Sequence, residues 1–339
     1  MSANMRGSAT PKIAAVGCGY WGRNIVRNFA ELGALSAVCD SNPAVADAFA
    51  QKYRVPALSL KQILNDNDCE GVAFASPAAM HVQHAGDALR AGKHVFVEKP
   101  LALTVPEGRE LAKLAVETRR ILMVGHLLQY HPLVLRLFEL VREGRLGEIK
   151  HVYSNRLNIG KVRSEEDVIW SFAPHDLSVI LGIMGTMPQR VSVEASCILD
   201  PKIADIANIH LNFANGATAR VFVSWLNPYK EQKLSVIGSR AHAVFDDAAP
   251  WDQKLVVYDH RIGYRDGQPE AVKALPTPIH VEQREPLREE CAHFLDAISG
   301  GTAPRTDSIE ALRVLSLLEA ASRSQETGRP VTPDQAERL

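Results

Sequence analysis

Long apolar runs are missing from this chain, so no segment is expected to span a membrane. Neither sign of charge is in excess: 38 Lys and Arg stand against 39 Asp and Glu, a formal net charge of −1. That balance removes the broad basic footprint a nucleic-acid binder needs. An anionic ligand must instead be held by local dipoles and a few placed cations. Cysteine is scarce and scattered: Cys18, Cys39, Cys69, Cys197 and Cys291, an odd number with no C-x-x-C. The simplest expectation is a reduced, cytoplasmic protein. Short repeats and low-complexity tracts are lacking too. The leader, Met1 to Thr10, is rich in Ser and Ala without an apolar core, so a frayed end is expected there rather than a signal peptide. What remains is an ordinary globular composition, 46% hydrophobic and 23% charged over 339 residues, enough for two domains.

The first half alternates strand and helix. Lys12 to Val16 reads as a strand running into Gly17-Cys18-Gly19-Tyr20-Trp21-Gly22, a G-x-G-x-x-G loop. Ile25, Val26, Phe29 and Leu32 then recur at helical spacing up to Gly33. Leu35 to Cys39 reads as a second strand with Asp40 at its end. Each part has a physical reason. Gly17 permits the tight turn, Gly19 lets the backbone approach a pyrophosphate, and Gly22 lets helix and strand pack closely. The helix N-terminus offers unpaired N–H groups to the phosphates. Asp40 can accept both ribose hydroxyls of an adenosine and would repel a 2′-phosphate, which favours NAD over NADP. A methyltransferase uses a similar loop and acid, and stays open on these residues alone.

Further βα units follow: helices at Pro43 to Gln51 and Ser59 to Asn65, a strand at Gly71 to Ala75 ending in Ser76-Pro77, and a helix carrying His81 and His84. Val95 to Val97 is an apolar strand closed by Glu98-Lys99-Pro100. A helix from Pro106 to Thr118 and a strand from Ile121 to Val124 complete the set, which predicts a doubly wound parallel sheet. Pro100 ends the ladder and holds Lys99 extended at the edge where such sheets bind ligands. His81 and His84 lack a nearby carboxylate or thiol, so no metal site is expected.

The second half changes period. Leu133 to Val141 reads as a helix. From Glu148 the alternation is two: Val152, Ser154, Arg156 and Asn158 share one strand face, and Tyr153, Asn155 and Leu157 the other. The polar face either lines a substrate cleft or faces water. A helix with Trp170, His175, Ile180 and Leu181 follows. Strand candidates run through Val191–198, Ile206–213, 217–225, 233–237, 241–245 and 254–258, with Asn215-Gly216 a hairpin signal. Asp259 to Pro278, rich in Gly, Pro and Arg, reads as a loop. Two amphipathic helices, Pro286 to Ile298 and Ser308 to Ser322, end the chain. The class expected is α/β: a Rossmann domain over 10–125, then an α+β domain over 126–339 with a large, open, mostly antiparallel sheet. Self-association as a homodimer or homotetramer across that sheet is expected.

The ordered set G-C-G-Y-W-G (Gly17 to Gly22), A-S-P-A-A-M-H (Ala75 to His81), E-K-P (Glu98 to Pro100) and P-H-D (Pro174 to Asp176) resembles the glucose–fructose oxidoreductase/inositol dehydrogenase/MocA family over nearly the whole chain. The resemblance disposes of the methyltransferase. It implies NAD held by Gly17, Gly19, Tyr20, Trp21, Gly22, Asp40, Ser76, Pro77, His81, Glu98 and Lys99, and a Lys99–Pro100 bond that is often cis in the family. It implies catalysis by Lys99 and His175. Two departures stand out. Ser171 lies one turn before His175, where many members carry aspartate, and Gln129 occupies a position often held by arginine.

The stretch Tyr20 to Phe29 is further similar to bacterial nucleotide-sugar 3-dehydrogenases of the family. These oxidise C3 of UDP-N-acetylglucosamine or its uronic acid before a transaminase adds an amine in diamino-sugar synthesis. A UDP-sugar would then meet Lys99, His126, Arg156, Asn158, Lys161, Arg163, Trp170 and His175, with Arg156, Lys161 and Arg163 suited to a diphosphate. The neutral sugar is preferred. The uronate, inositol or a free sugar, and a catalytically silent NAD-binding regulator are the alternatives.

Overall fold

The computed structural model describes residues 10–160 and 162–335. The leader up to residue 9, expected to fray, and Lys161 lie outside the described residues. Contacts divide the chain into two compact units. Among the described residues, one holds 10–126 together with Glu285–Leu312; the other holds Leu127–Arg284 and 313–335.

The first unit is built on five parallel strands, β1 (Ile13–Val16), β2 (Leu35–Cys39), β3 (Gly71–Phe74), β4 (His94–Glu98) and β5 (Leu122–Gly125), in the order β2-β1-β3-β4-β5. β1 and β3 are buried at every position, as a sheet covered on both faces requires. The helices are α1 (Gly22–Glu31), α2 (Pro43–Tyr53), α3 (Leu60–Asn65), α4 (His81–Arg90) and α5 (Val105–Thr118). Their starts are locally encoded. Asn42 caps α2 ahead of Pro43, Ser59 and Gln62 close a capping box on α3, and Thr104 caps α5.

The sequence reading assigns 126–339 to one domain, but residues 285–312 return to the first unit. The reason is aromatic packing. Phe294 of α8 (Pro286–Gly300) is fully buried, with ring centroids 6.3 Å from Phe29 and 5.9 Å from Phe96. At the same helix start Glu285 takes the Arg27 guanidinium and the Asn28 amide.

The second unit contains α6 (Pro132–Arg142), β6 (Ile149–Ile159), α7 (Val168–Met184), β7 (Arg190–Ser196), β8 (Ile206–Asn212), β9 (Thr218–Ser224), β10 (Leu226–Gly238), β11 (His242–Asp246) and β12 (Leu255–Tyr258). With β15 (Pro276–Pro278) these strands form an eight-stranded sheet in the order β15-β12-β11-β10-β6-β9-β8-β7. Every pairing is antiparallel except β6 with β9. One sheet face joins a core with α6 and α7: Val152, Val221 and Val236 pack in one cluster with Leu137, Leu177 and Ile180. The last helix, α9 (Ser308–Thr327), is divided between the two units.

The stretch from Asp259 to Pro278 corrects the sequence reading. It is not a loop but an antiparallel hairpin, β13 (Arg261–Arg265) and β14 (Gln268–Val272), followed by edge strand β15. The overlooked signal is Asp266-Gly267, both at positive φ (51° and 76°), which is the turn a two-residue hairpin needs. Prolines at both ends of β15 are tolerated because it is an edge. No helix among the described residues is long and apolar enough to cross a membrane.

Candidate cofactor site and substrate-side residues

The glycine loop has the shape its sequence demands. Gly17 sits at φ +89°, and a Cβ there would lie 2.8 Å from the Ala75 carbonyl oxygen. A Cβ at Gly22 would lie 1.8 Å from the Gly17 carbonyl oxygen, so only glycine fits. At Gly19 nothing lies within 4 Å of the same point, leaving a cradle open to a ligand. The first turn of α1 carries no acid to oppose a phosphate at the helix dipole. Asp40 accepts the backbone N–H of Cys18 at 2.7 Å and of Asn42 at 2.8 Å, one on each carboxylate oxygen. The loop is thereby tied to the end of β2, and each oxygen keeps acceptor capacity for a ribose hydroxyl. These residues fit a dinucleotide. Tyr20 is exposed under the Arg23 guanidinium, and the Trp21 indole N–H donates to Glu98.

The ends of β3 and β4 are joined through His81. It is 1% exposed, with Nδ1 2.7 Å from the Pro100 carbonyl oxygen and Nε2 2.8 Å from that of Ser76. Burial pushes its pKa down, with the two carbonyls opposing. His81 thus ties the two strand exits together. Ser76 Oγ lies 3.1 Å from His84 Nδ1, and Pro77 begins the turn into α4. The Lys99–Pro100 peptide is cis. Lys99 is half-buried immediately after β4, and its N–H faces Glu98 Oε2 at 3.3 Å. Burial pushes the Glu98 carboxyl up to about 7, against the pull of Trp21 and Lys99. His126 is buried, its Nδ1 2.5 Å from Glu310 Oε2.

In the second unit α7 is capped by Asp167, which accepts the Trp170 N–H at 3.0 Å. His175 follows Pro174 inside this helix and is half-buried; Ser171 is buried one turn earlier. The polar face of β6 neither lines open space nor faces water at its centre. Ser154 Oγ donates to Asp176 at 2.5 Å, and Arg156 Nε donates to Asp176 at 2.6 Å. Asp176, the last residue of P-H-D, is therefore the residue the sequence reading missed. Its helix face shows in the motif; its partner on β6 is a tertiary fact. Arg163 pairs with Glu166 at 3.0 Å. Of the expected basic cluster, Arg156 and Arg163 thus already hold carboxylates, and Lys161 lies outside the described residues. Trp170 Nε1 donates to Ser322, and Asn158 Oδ1 is buried without a hydrogen-bond partner among the described residues. Gln129, in place of the frequent arginine, donates to the Ser178 carbonyl and hydroxyl at 3.0 Å.

Comparison with known proteins agrees with this geometry. A model described as "Oxidoreductase family, NAD-binding Rossmann fold" matches residues 11–126, and one described as "GFO/IDH/MocA C-terminal domain" matches residues 134–244. UDP-N-acetylglucosamine 3-dehydrogenase of Acidithiobacillus ferrooxidans is 26% identical over 90% of this chain and 94% of that protein. Inositol 2-dehydrogenase of Rhizobium meliloti is 25% identical over 88% and 91%. The solved structure of GenD2 from gentamicin A biosynthesis in complex with NAD shares the fold, with a TM-score of 0.80 at 23% identity over 98% and 100% of the two chains.

Proposed function

The chain belongs to the GFO/IDH/MocA family of oxidoreductases, and from that premise we propose that it is an NAD-dependent dehydrogenase of the C3 hydroxyl of UDP-N-acetylglucosamine. The observation that carries the NAD part is the Gly17–Gly22 cradle with Asp40 pinned across it. Asp40, at the end of β2, can accept the ribose hydroxyls and would repel a 2′-phosphate. The substrate part is supported by similarity to the Acidithiobacillus enzyme over 90% of this chain. When bound, NAD⁺ accepts the hydride. His175 takes the hydroxyl proton, and Lys99 donates a hydrogen bond to the substrate oxygen. Asp176, bonded to Arg156 and Ser154, holds the helix segment that carries His175. The 3-keto product is a substrate for a transaminase.

A cytoplasmic setting and self-association belong to the same proposal. The sheet face away from α7 presents Tyr153, Asn155, Arg220, Phe222 and Lys233, none of them buried. A second reading, oxidation of an inositol or other free polyol, is favoured by one observation: Arg156 and Arg163 already pair with Asp176 and Glu166, which leaves less charge for a diphosphate. Purified protein incubated with NAD⁺ and either UDP-N-acetylglucosamine, its uronate or myo-inositol decides between them through NADH absorbance. Turnover of the polyol alone would overturn the nucleotide-sugar reading. Turnover of none would leave a silent NAD binder.

A further inference from the structure

The first unit buries acids that the proposed reaction does not use. Glu290 of α8 is fully buried, and neither carboxyl oxygen has a hydrogen-bond partner among the described residues. Phe294, one turn after Glu290 on α8, packs its ring 5.9 Å from that of Phe96, two residues before Glu98 on β4, which brings the two acids to the same end of this contact; the charges of Glu98 and of Glu310 at the start of α9 push the Glu290 pKa up. From α1, Arg27 is committed to Glu285, and Glu31 to Arg27 and Arg288. Glu310 is itself paired with His126. Glu98 differs from Glu290 in having donors: the Trp21 indole N–H and the Lys99 backbone N–H. Lys99 and the His126 imidazole are the groups that face Glu98. A carboxylate without a donor or a counter-ion is strongly disfavoured in such a place, whereas one with two donors can ionise.

We propose that Glu98 and Glu290 form an acid pair behind the ends of β4 and β5, in which Glu290 keeps its proton and the charge on Glu98 sets the preference for oxidised over reduced nicotinamide. The topology supplies the placement. The glycine loop and Asp40 take the adenosine end of the cofactor at β1 and β2. β4 lies beyond β3 in the same parallel sheet, with Glu98 at its carboxyl edge, where open sheets of this kind hold the rest of the ligand. The oxidised ring carries a positive charge and the reduced ring none. An ionised Glu98 therefore favours NAD⁺, and a protonated Glu98 favours neither form. Burial together with the charges of Glu98 and Glu310 raises the Glu290 pKa well above the ordinary range, so that Glu98 is the member that ionises near neutrality. The inference rests on the dehydrogenase reading only through the cofactor.

The test is the ratio of NAD⁺ to NADH affinity, measured by titration calorimetry on the full chain without sugar, from about pH 5.5 to about pH 8.5. In the wild type the ratio rises about tenfold with pH, the effect of one unit of pKa coupling to an opposite charge. In Glu98→Gln it stays flat at the acidic wild-type value, which separates Glu98 from His81, His126 and Lys99. In Glu290→Gln the rise persists, because the amide reproduces a neutral acid. A flat wild-type ratio overturns the proposal whatever the variants do. So does a rise that survives Glu98→Gln or disappears in Glu290→Gln. A pH-dependent ratio in a protein that oxidises no sugar would sink the dehydrogenase reading alone; turnover with a flat ratio would sink only the acid pair.

Discussion

Cutting the Arg156–Asp176 pair separates a structural strut from a ligand-binding cation. The guanidinium Nε lies 2.6 Å from the carboxylate, and the side chains are only 12% and 4% exposed, so the pair is buried and the discount owed to surface ion pairs does not apply. Ser154 Oγ adds a further donor at 2.5 Å. Asp176→Asn leaves a buried guanidinium without its counter-charge, and Arg156→Met leaves a buried carboxylate held by a hydroxyl. Each should cost about 3–5 kcal/mol. The double variant Arg156→Met/Asp176→Leu should recover most of the loss, since packed apolar side chains replace such pairs at little cost. Urea denaturation followed by tryptophan fluorescence reads all of these, with Trp170 on the same helix as Asp176. If Arg156→Met stays within about 0.5 kcal/mol of wild type, as a surface change would, while UDP-N-acetylglucosamine binding weakens, Arg156 is a substrate ligand and the strut is refuted.

Four further expectations follow from the first unit and the proposed chemistry. Gly22→Ala should abolish NAD binding in calorimetry, because its Cβ would lie 1.8 Å from the Gly17 oxygen; retained affinity would mean the loop can shift. Asp40→Ala should relax discrimination against NADP, and an unchanged ratio of affinities would show that Asp40 does not meet the ribose. Lys99→Ala and His175→Ala should each keep NAD binding and lose roughly 10²–10⁴-fold in turnover, whereas full activity in both discards their assignment. Glu98 has its pKa raised on folding from 4.5 to about 7. The folded chain thus binds more protons in that window, and the stability Glu98 contributes is complete below about pH 4.5 and lost as pH rises through about 7. Glu98→Gln should flatten that part of the urea midpoint against pH; an unaltered slope would place the titration elsewhere.

Features that depend on neighbours in sequence were readable from the chain alone. Gly17, Gly19, Gly22 and Asp40 announce their site because a tight turn, a helix start and a strand end lie within one βαβ unit. The strands and helices of the first unit follow from period and caps, and Asn215-Gly216 does close the β8–β9 hairpin. Asp266-Gly267 was equally legible and was masked by the surrounding Gly, Pro and Arg.

Tertiary structure alone decided the pairings between distant segments. Nothing local says that α8 returns to Phe29 and Phe96, that Asp176 closes on Arg156 and Ser154, or that His81 lies between two carbonyls. Nor could Glu290 be told from a solvated helix acid, because its burial depends on what β4 and α9 place around it. Turn, cap and period are properties of a few consecutive residues. Burial and the partner of a charge belong to whichever segments the fold brings together.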